Sequence, residues 1–192
     1  MSDKILNVIT ICGSLRKASY NAALARALPA LAPSGLSIAA APPWESFPVY
    51  NADFHASAGI PAEVDAWADA IRSADGVIIV SPEYNWGIPG GLKNAIDWCS
   101  RLKEVPFKDK PVALQSCSGG LLGGARMQYS LRMTLTMTDA ILLGKPEVFV
   151  NFAPKKFDEK TLALTDQPTM DLIKQQLAGF ERLIRRSTAG PE

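Results

Sequence analysis

The stretch "DGVIIVSPEYNWGIPGGLKNAIDW", residues 75–98, opens on an apolar, β-branched run and closes on a helical pattern. "DGVIIVS" (75–81) has no polar alternation, which is how a strand buried on both faces reads. In "GLKNAIDWCSRL" (91–102), Leu92, Ala95, Ile96 and Cys99 recur at helical spacing. Between them lies a loop stiffened by Pro82 and Pro89 and loosened by Gly87, Gly90 and Gly91, around the aromatic pair Tyr84 and Trp86. A buried strand, a rigid loop and a helix make half of a βαβ unit.

The same grammar extends in both directions. Upstream, "KILNVITI" (4–11) and the weaker "LSIAAA" (36–41) read as strands. Downstream, "PVALQSC" (111–117) and "KPEVFV" (145–150) do the same. Helices are expected at "NAALARALPALA" (21–32), with Asn21 placed to cap it, and at "PAEVDAWADAIRSA" (61–74), with proline in the first turn. A closing helix spans 169–186, and the tail 187–192 is expected to fray. Five short apolar strands alternating with helices predict one α/β domain over residues 1–186. Its architecture is a flavodoxin-like, five-stranded parallel sheet in the order 2-1-3-4-5, with helices on both faces. Ligands of such sheets bind beyond the C-terminal strand ends, where strands 1 and 3 diverge.

Composition narrows the function. A chain of 192 residues with 20 basic and 19 acidic side chains, net +1, gives no electrostatic case for nucleic acid or an anionic membrane. The opening "MSDKILNVITICGS" lacks the basic and long apolar regions of a secretory signal, and no run reaches the roughly 20 apolar residues that span a bilayer. Cys12, Cys99 and Cys117 are odd in number and lack C-x-x-C spacing, so neither a disulfide framework nor a metal site is expected. The expectation is a cytoplasmic protein.

Three loops then carry the chemistry. After strand 1, "GSLRKASYN" (13–21) offers Ser14, Arg16, Ser19, Asn21 and a helix N-terminus, a cradle for a phosphate. It is neither a Walker loop nor G-x-G-x-x-G. An ordinary capped turn would share several of these residues. After strand 3 comes the Tyr84–Trp86 loop, suited to a flat ring, though either aromatic alone could be core. After strand 4, "SCSGGLLGGAR" (116–126) can expose successive backbone N–H groups toward a ring carbonyl gaining charge. A phosphate site, a ring site and no evident titrating catalyst together describe FMN, whose chemistry is the cofactor's own.

"GSLRKASYN", "PEYNWGIPGGLKNAIDW" and "GGLLGGARMQYSLR" resemble the NADPH-dependent FMN reductase family, and within it the bacterial quinone and chromate reductases. The resemblance spans about residues 5–150. It implies non-covalent FMN, NADPH or NADH as hydride donor, and ping-pong transfer through flavin N5 to quinones, with chromate or other metal oxyanions as further acceptors. It assigns the phosphate to Ser14, Arg16, Ser19 and Asn21. The ring and ribityl chain fall to Pro82, Glu83, Tyr84 and Asn85, and the ring edge to Ser118, Gly119 and Gly120. No side chain receives a catalytic role. Trp86 departs from the tyrosine or histidine that relatives often carry. Arg101 and Arg126 are candidates for a nucleotide phosphate or an anionic acceptor.

Other readings compete. A flavodoxin-like electron carrier shares the fold, but such carriers are usually strongly acidic. A receiver domain needs acidic residues where Cys12–Gly13 and Ser81–Pro82 stand. A serine hydrolase needs a base, and the sole histidine, His55, lies in a long connection.

That connection, residues 42–60, contains Pro42, Pro43 and Pro48 and no expected element. With its "FPVYNADF" aromatics it is expected to rim the site, within its own chain or across a subunit interface, Tyr50 covering a flat acceptor. Finally, "MQYSLRMTLTM" (127–137) alternates like an exposed strand, yet the flanking strands require a crossover helix. On a helix, Met127, Leu131 and Leu135 form one apolar stripe, and Tyr129, Met133 and Met137 a second on nearly the opposite side. A helix covering a sheet needs one stripe. The second predicts a contact with a partner subunit, Trp98 joining it, and the resemblance implies a homodimer or homotetramer.

Overall fold

The computed structural model describes residues 4–188. Its strands are β1 (Leu6–Cys12), β2 (Leu36–Ala40), β3 (Gly76–Val80), β4 (Pro111–Cys117), β5 (Ile141–Leu142) and β6 (Val148–Val150). The helices are α1 (Tyr20–Leu31), α2 (Ala52–Ala58), α3 (Ala62–Ser73), α4 (Gly90–Cys99), α5 (Ala125–Met137) and α6 (Gln167–Thr188). All strand pairs are parallel, in the order β2-β1-β3-β4-β5, with β6 also on β4. This is the expected doubly wound order, with one correction. The fifth strand expected at 145–150 is β6, shortened to Val148–Val150, and an unexpected short strand, β5, shares its edge of β4. Ile141–Leu142 pairs with Pro111–Val112, and Val148–Val150 pairs with Gln115–Cys117. A two-residue strand carries too little periodicity to be read from sequence.

Every residue of β3 and β4 is buried, which is why their sequences lack alternation. One face of the sheet packs Val64 and Trp67 of α3, Leu92 and Ile96 of α4, and Met127, Leu131 and Leu135 of α5. The other packs Leu24 and Leu28 of α1 and Ile173, Leu177 and Phe180 of α6. The segment 127–137 is therefore helical despite its alternating pattern. Its first stripe is buried, while Tyr129, Met133 and Met137 stay 54–72% exposed.

Four expectations need correction. Ser19, not Asn21, caps α1, its Oγ accepting from Ala22 N at 3.3 Å. Trp98 is fully buried and donates Nε1–H to Pro48 O at 2.7 Å, so it belongs to no outer contact. The connection 42–60 is not structureless: Asn51 caps α2 within it. Ser187 and Thr188, expected in the frayed tail, belong to α6, and the rest of that tail lies outside the described residues.

Candidate active site

The three loops begin side by side because the strands that feed them are in register. Gly13 N donates to Val80 O, Ser81 N to Gln115 O, and Ser118 N to Val150 O, at 2.9–3.0 Å. At the divergence of β1 and β3 the chains touch. A Cβ on Gly13 would lie 2.3 Å from Ser81 Oγ, so only glycine fits there. Beyond these strand ends opens a solvent-facing cleft lined by residues of all three loops.

Loop 1 lines it with Ser14, Arg16, Ser19, Tyr20 and Asn21. Ser19 is 4% exposed; its Oγ serves as cap acceptor, which leaves the hydroxyl hydrogen free to donate into the cleft. The first N–H groups of a helix have no intrahelical partner, so Tyr20 and Asn21 bring backbone donors to the same place. Arg16 folds onto its own loop, Nε donating to Ala18 O at 3.0 Å with Nη2 on the same oxygen, and its remaining N–H groups are uncommitted. Asn21 acts differently from its neighbours. Its Nδ2 donates to Cys117 O and its Oδ1 accepts from Cys117 N, both at 2.9 Å and both buried. This reciprocal pair ties loop 1 to the end of β4 and sets the width of the cleft.

Loop 3 contributes Pro82, Glu83 and Tyr84. Tyr84 N donates to Gly87 O at 3.1 Å and Gly87 N to Tyr84 O at 2.9 Å, closing a tight turn whose tip residues, Asn85 and Trp86, both have positive φ. Glu83 reaches across to α5. One carboxylate oxygen accepts from Met127 N at 3.1 Å and the other lies 3.9 Å from Arg126 Nη1. The Arg126 guanidinium in turn sits 4.2 Å over the Trp86 ring.

Loop 4 contributes Cys117, Ser118 and Gly119. A Cβ on Gly119 would find nothing nearer than Pro154 at 4.0 Å, and one on Gly120 nothing nearer than Ser118 Oγ at 3.9 Å. Neither glycine is needed by the protein's own packing or by a positive φ. Their missing side chains keep the surface open for something else. Gly123 and Gly124 are the reverse: both have positive φ, and a Cβ on either would run into Phe149 or Ser116 at 2.6–2.7 Å. A helix N-terminus with hydroxyl and guanidinium donors at one loop, and bare glycines beside an aromatic at the others, fit a phosphorylated flat-ring cofactor such as FMN.

The structure thus brings nine of the eleven expected cofactor residues to one cleft. Asn85 and Gly120 are exposed at turn tips beside its lining. Of the expected rim, Trp86 and Arg126 stand together next to Tyr84. Tyr50 and Arg101 also pair, the guanidinium 5.2 Å over the ring, and Tyr50 packs edge-on to Trp98 at 5.0 Å. Tyr50 N also donates to Asn94 Oδ1 of α4 at 2.8 Å, and neither Tyr50 nor Arg101 is among the residues that line the cleft within one chain. His55 packs between Tyr50 and Trp98 there. Residues 42–45 come closer: Trp44 donates Nε1–H to Cys12 O at 3.0 Å and fills the space left by Gly91. Two lining residues escaped the sequence reading. Tyr20 sits inside the quoted loop-1 motif, its ring 5.3 Å from Phe157, and Cys117 ends β4. Burial pushes the Cys117 thiol up to about 12 against the weaker pull of Lys156, so it is a neutral wall at physiological pH.

Comparison with known proteins agrees with this geometry. The chain is 48% identical to a quinone reductase of Escherichia coli K12 over 186 residues, covering 97% of this chain and 98% of the relative. It is 44% identical, with the same coverage, to an NAD(P)H-dependent FMN reductase of Pseudomonas aeruginosa. A flavoenzyme NAD(P)H:(acceptor) oxidoreductase from Paracoccus denitrificans superposes with a TM-score of 0.84 at 30% identity, over 95% of this chain and 99% of that one. The description of the NADPH-dependent FMN reductases matches residues 6–155, which contain all three loops. The chain therefore belongs to the NADPH-dependent FMN reductase family, as an oxidoreductase working with FMN and a reduced nicotinamide nucleotide.

Proposed function

We propose that the protein is an NAD(P)H-dependent quinone reductase that holds FMN non-covalently in the cleft between the loops after β1, β3 and β4. The observation that carries this reading is the pair of glycines at 119–120, open to the cleft without internal need, in the same site as the capped N-terminus of α1. Relatives named quinone reductase, aligned over nearly the whole chain, support the choice of acceptor.

In this reading Ser14, Ser19, Arg16 and the first N–H groups of α1 hold the phosphate. Asn21 acts through its clamp on Cys117. Pro82 and Tyr84 wall the ring, and Ser118 with Gly119 and Gly120 offers backbone N–H groups at its edge. Bound FMN would supply the two-electron chemistry that links the nicotinamide to the acceptor. The overall balance is NAD(P)H, one proton and a quinone giving NAD(P)⁺ and a hydroquinone. The chain itself orients both substrates in turn and leaves the cleft open to water, from which the proton comes. The thiol of Cys117 stays protonated and His55 lies remote, so neither relays it. Chromate or another metal oxyanion is a further acceptor in this proposal, drawn by the half-exposed Arg126 at the mouth. The three cysteines are free, as in a reducing compartment, and we place the protein in the cytoplasm. Among the described residues, no helix is long and apolar enough to cross a membrane. The exposed stripe Tyr129, Met133 and Met137 on α5, joined by Phe149 at 6.3 Å from Tyr129, is the contact of a homodimer or homotetramer.

The test is steady-state turnover of the purified protein with NADH and NADPH against a panel of quinones and chromate, together with identification of the flavin released on denaturation. FMN and quinone-dependent nicotinamide oxidation are expected. A different flavin, or no quinone turnover, would contradict the reading.

A further inference from the structure

Trp86 occupies a position that its side chain disfavours. It and Asn85 form the tip of the tight turn closed by Tyr84 and Gly87, with φ of +66° and +50°. Two-residue turns with both φ positive favour Asn followed by Gly. Asn85 obeys this; Trp86 takes the place where glycine would sit without strain.

The indole gains little packing in return. Trp44, Trp67 and Trp98 are buried, at 6%, 0% and 0% exposure, whereas Trp86 is 69% exposed. Its contact of note is with Arg126, 4.2 Å from the ring centroid. Arg126 is held in turn by Glu83, and Glu83 by Met127 N. A chain of three groups anchored on the first turn of α5 thus fixes an exposed indole beside Tyr84, whose ring lines the cleft. Strain, exposure and a dedicated tether together mark a side chain kept for an outside partner. An indole is electron-rich and flat, and the partner that suits it is flat and electron-poor.

We propose that Trp86 is the residue that selects the electron acceptor, offering its uncovered surface to the ring of a quinone, and that Arg126 and Glu83 are positioning residues that hold it there. This rests on the flavin-cleft reading above and deepens it. Ferricyanide, compact and not flat, has no such surface to offer and serves as the comparator.

The experiment measures kcat/KM of the holoenzyme for 1,4-naphthoquinone and for ferricyanide, with a common nicotinamide donor. Trp86→Leu lowers the naphthoquinone-to-ferricyanide ratio by roughly 3- to 10-fold, the scale of an aromatic contact. Trp86→Phe, flat but smaller, restores most of it. Arg126→Ala lowers kcat/KM for the uncharged naphthoquinone in the parent protein but not in the Trp86→Leu background, since it reaches that acceptor through the indole. A readout without turnover accompanies these. Naphthoquinone added to the oxidised holoenzyme quenches the exposed tryptophan emission saturably, and Trp86→Phe removes that component. An unchanged ratio in Trp86→Leu overturns the inference alone; if sedimentation shifts in that variant, the indole belongs to a subunit contact. A wild-type enzyme that reduces ferricyanide but not naphthoquinone overturns both this inference and the quinone reading.

Discussion

Replacing Asn21 by alanine removes the clamp that sets the cleft. The side chain is 4% exposed, and both ends of its amide bond the backbone of Cys117 at 2.9 Å. Alanine cannot reach either group, so Cys117 N–H and C=O lose their partners beside the end of β4. An orphaned buried polar group costs about 1–3 kcal/mol. Water entering from the open cleft relieves part of that, and the sum is about 2–4 kcal/mol. For a chain of this size each kcal/mol lowers Tm by roughly 2–4 °C, so the apoprotein should melt roughly 4–16 °C below the parent. Asn21→Asp keeps an acceptor for Cys117 N–H but sets a carboxylate against the Cys117 carbonyl, and should fall between the two. Thermal melts followed by circular dichroism measure this, and titration with FMN should show weaker binding in the same order. A melt within about 1 °C of the parent would refute the clamp, because no effect of that size is compatible with two lost buried bonds.

Other outcomes follow from the same geometry. Arg16→Ala should weaken FMN binding by roughly 10- to 100-fold, the worth of a charge-assisted bond to phosphate, read by flavin fluorescence titration; unchanged affinity would sink that assignment. Asp166 precedes α6 and accepts from Thr169 N at 3.0 Å. The Thr169 hydroxyl, the largest influence, holds the Asp166 carboxyl below the usual range; burial opposes it next, and the Thr169 N–H and the Lys156 charge add to the lowering. A depressed folded value stabilises above the ordinary carboxylate range, near pH 4, and that stability is lost as pH falls through the folded value. The urea midpoint of Asp166→Asn should therefore decline less steeply below about pH 4 than the parent's, and parallel curves would dismiss the cap. Met133→Glu, 71% exposed in the monomer, should shift sedimentation of the micromolar protein toward smaller species; a monomeric wild type would end the case for assembly through α5.

How much of this was legible in the sequence depended on whether one residue's chemistry or its neighbours decided the outcome. β3 and β4 were readable because burial on both faces leaves an unbroken apolar run, and with them came the sheet order and the place of the three loops. Loop 1 was readable because serines, an arginine and a helix start belong together locally. The roles within it were not. Asn21 looked like a cap, and only the approach of β4 shows both ends of its amide committed to Cys117, with Ser19 capping instead. In "GGLLGG" the four glycines look alike; Phe149 and Ser116, which crowd the second pair, come from β6 and β4. Trp98 fell off the stripe of its helix and so looked available for a partner. It is covered by the 48–55 segment, which no periodicity places. Tyr50 and Arg101 were expected at the rim on aromatic and charge content alone; they pair with each other beside α4 and are not among the residues that line the cleft within one chain.

The central claim is that the cleft holds FMN and passes electrons from a nicotinamide to a quinone. Anaerobic mixing of the purified holoenzyme, first with one equivalent of NADPH or NADH and then with one equivalent of naphthoquinone, tests it most directly through the visible flavin absorbance. The account predicts that the absorbance bleaches on the first addition and returns on the second, with hydroquinone formed. Flavin absorbance that neither nucleotide bleaches, or that bleaches and does not return with quinone, would contradict it.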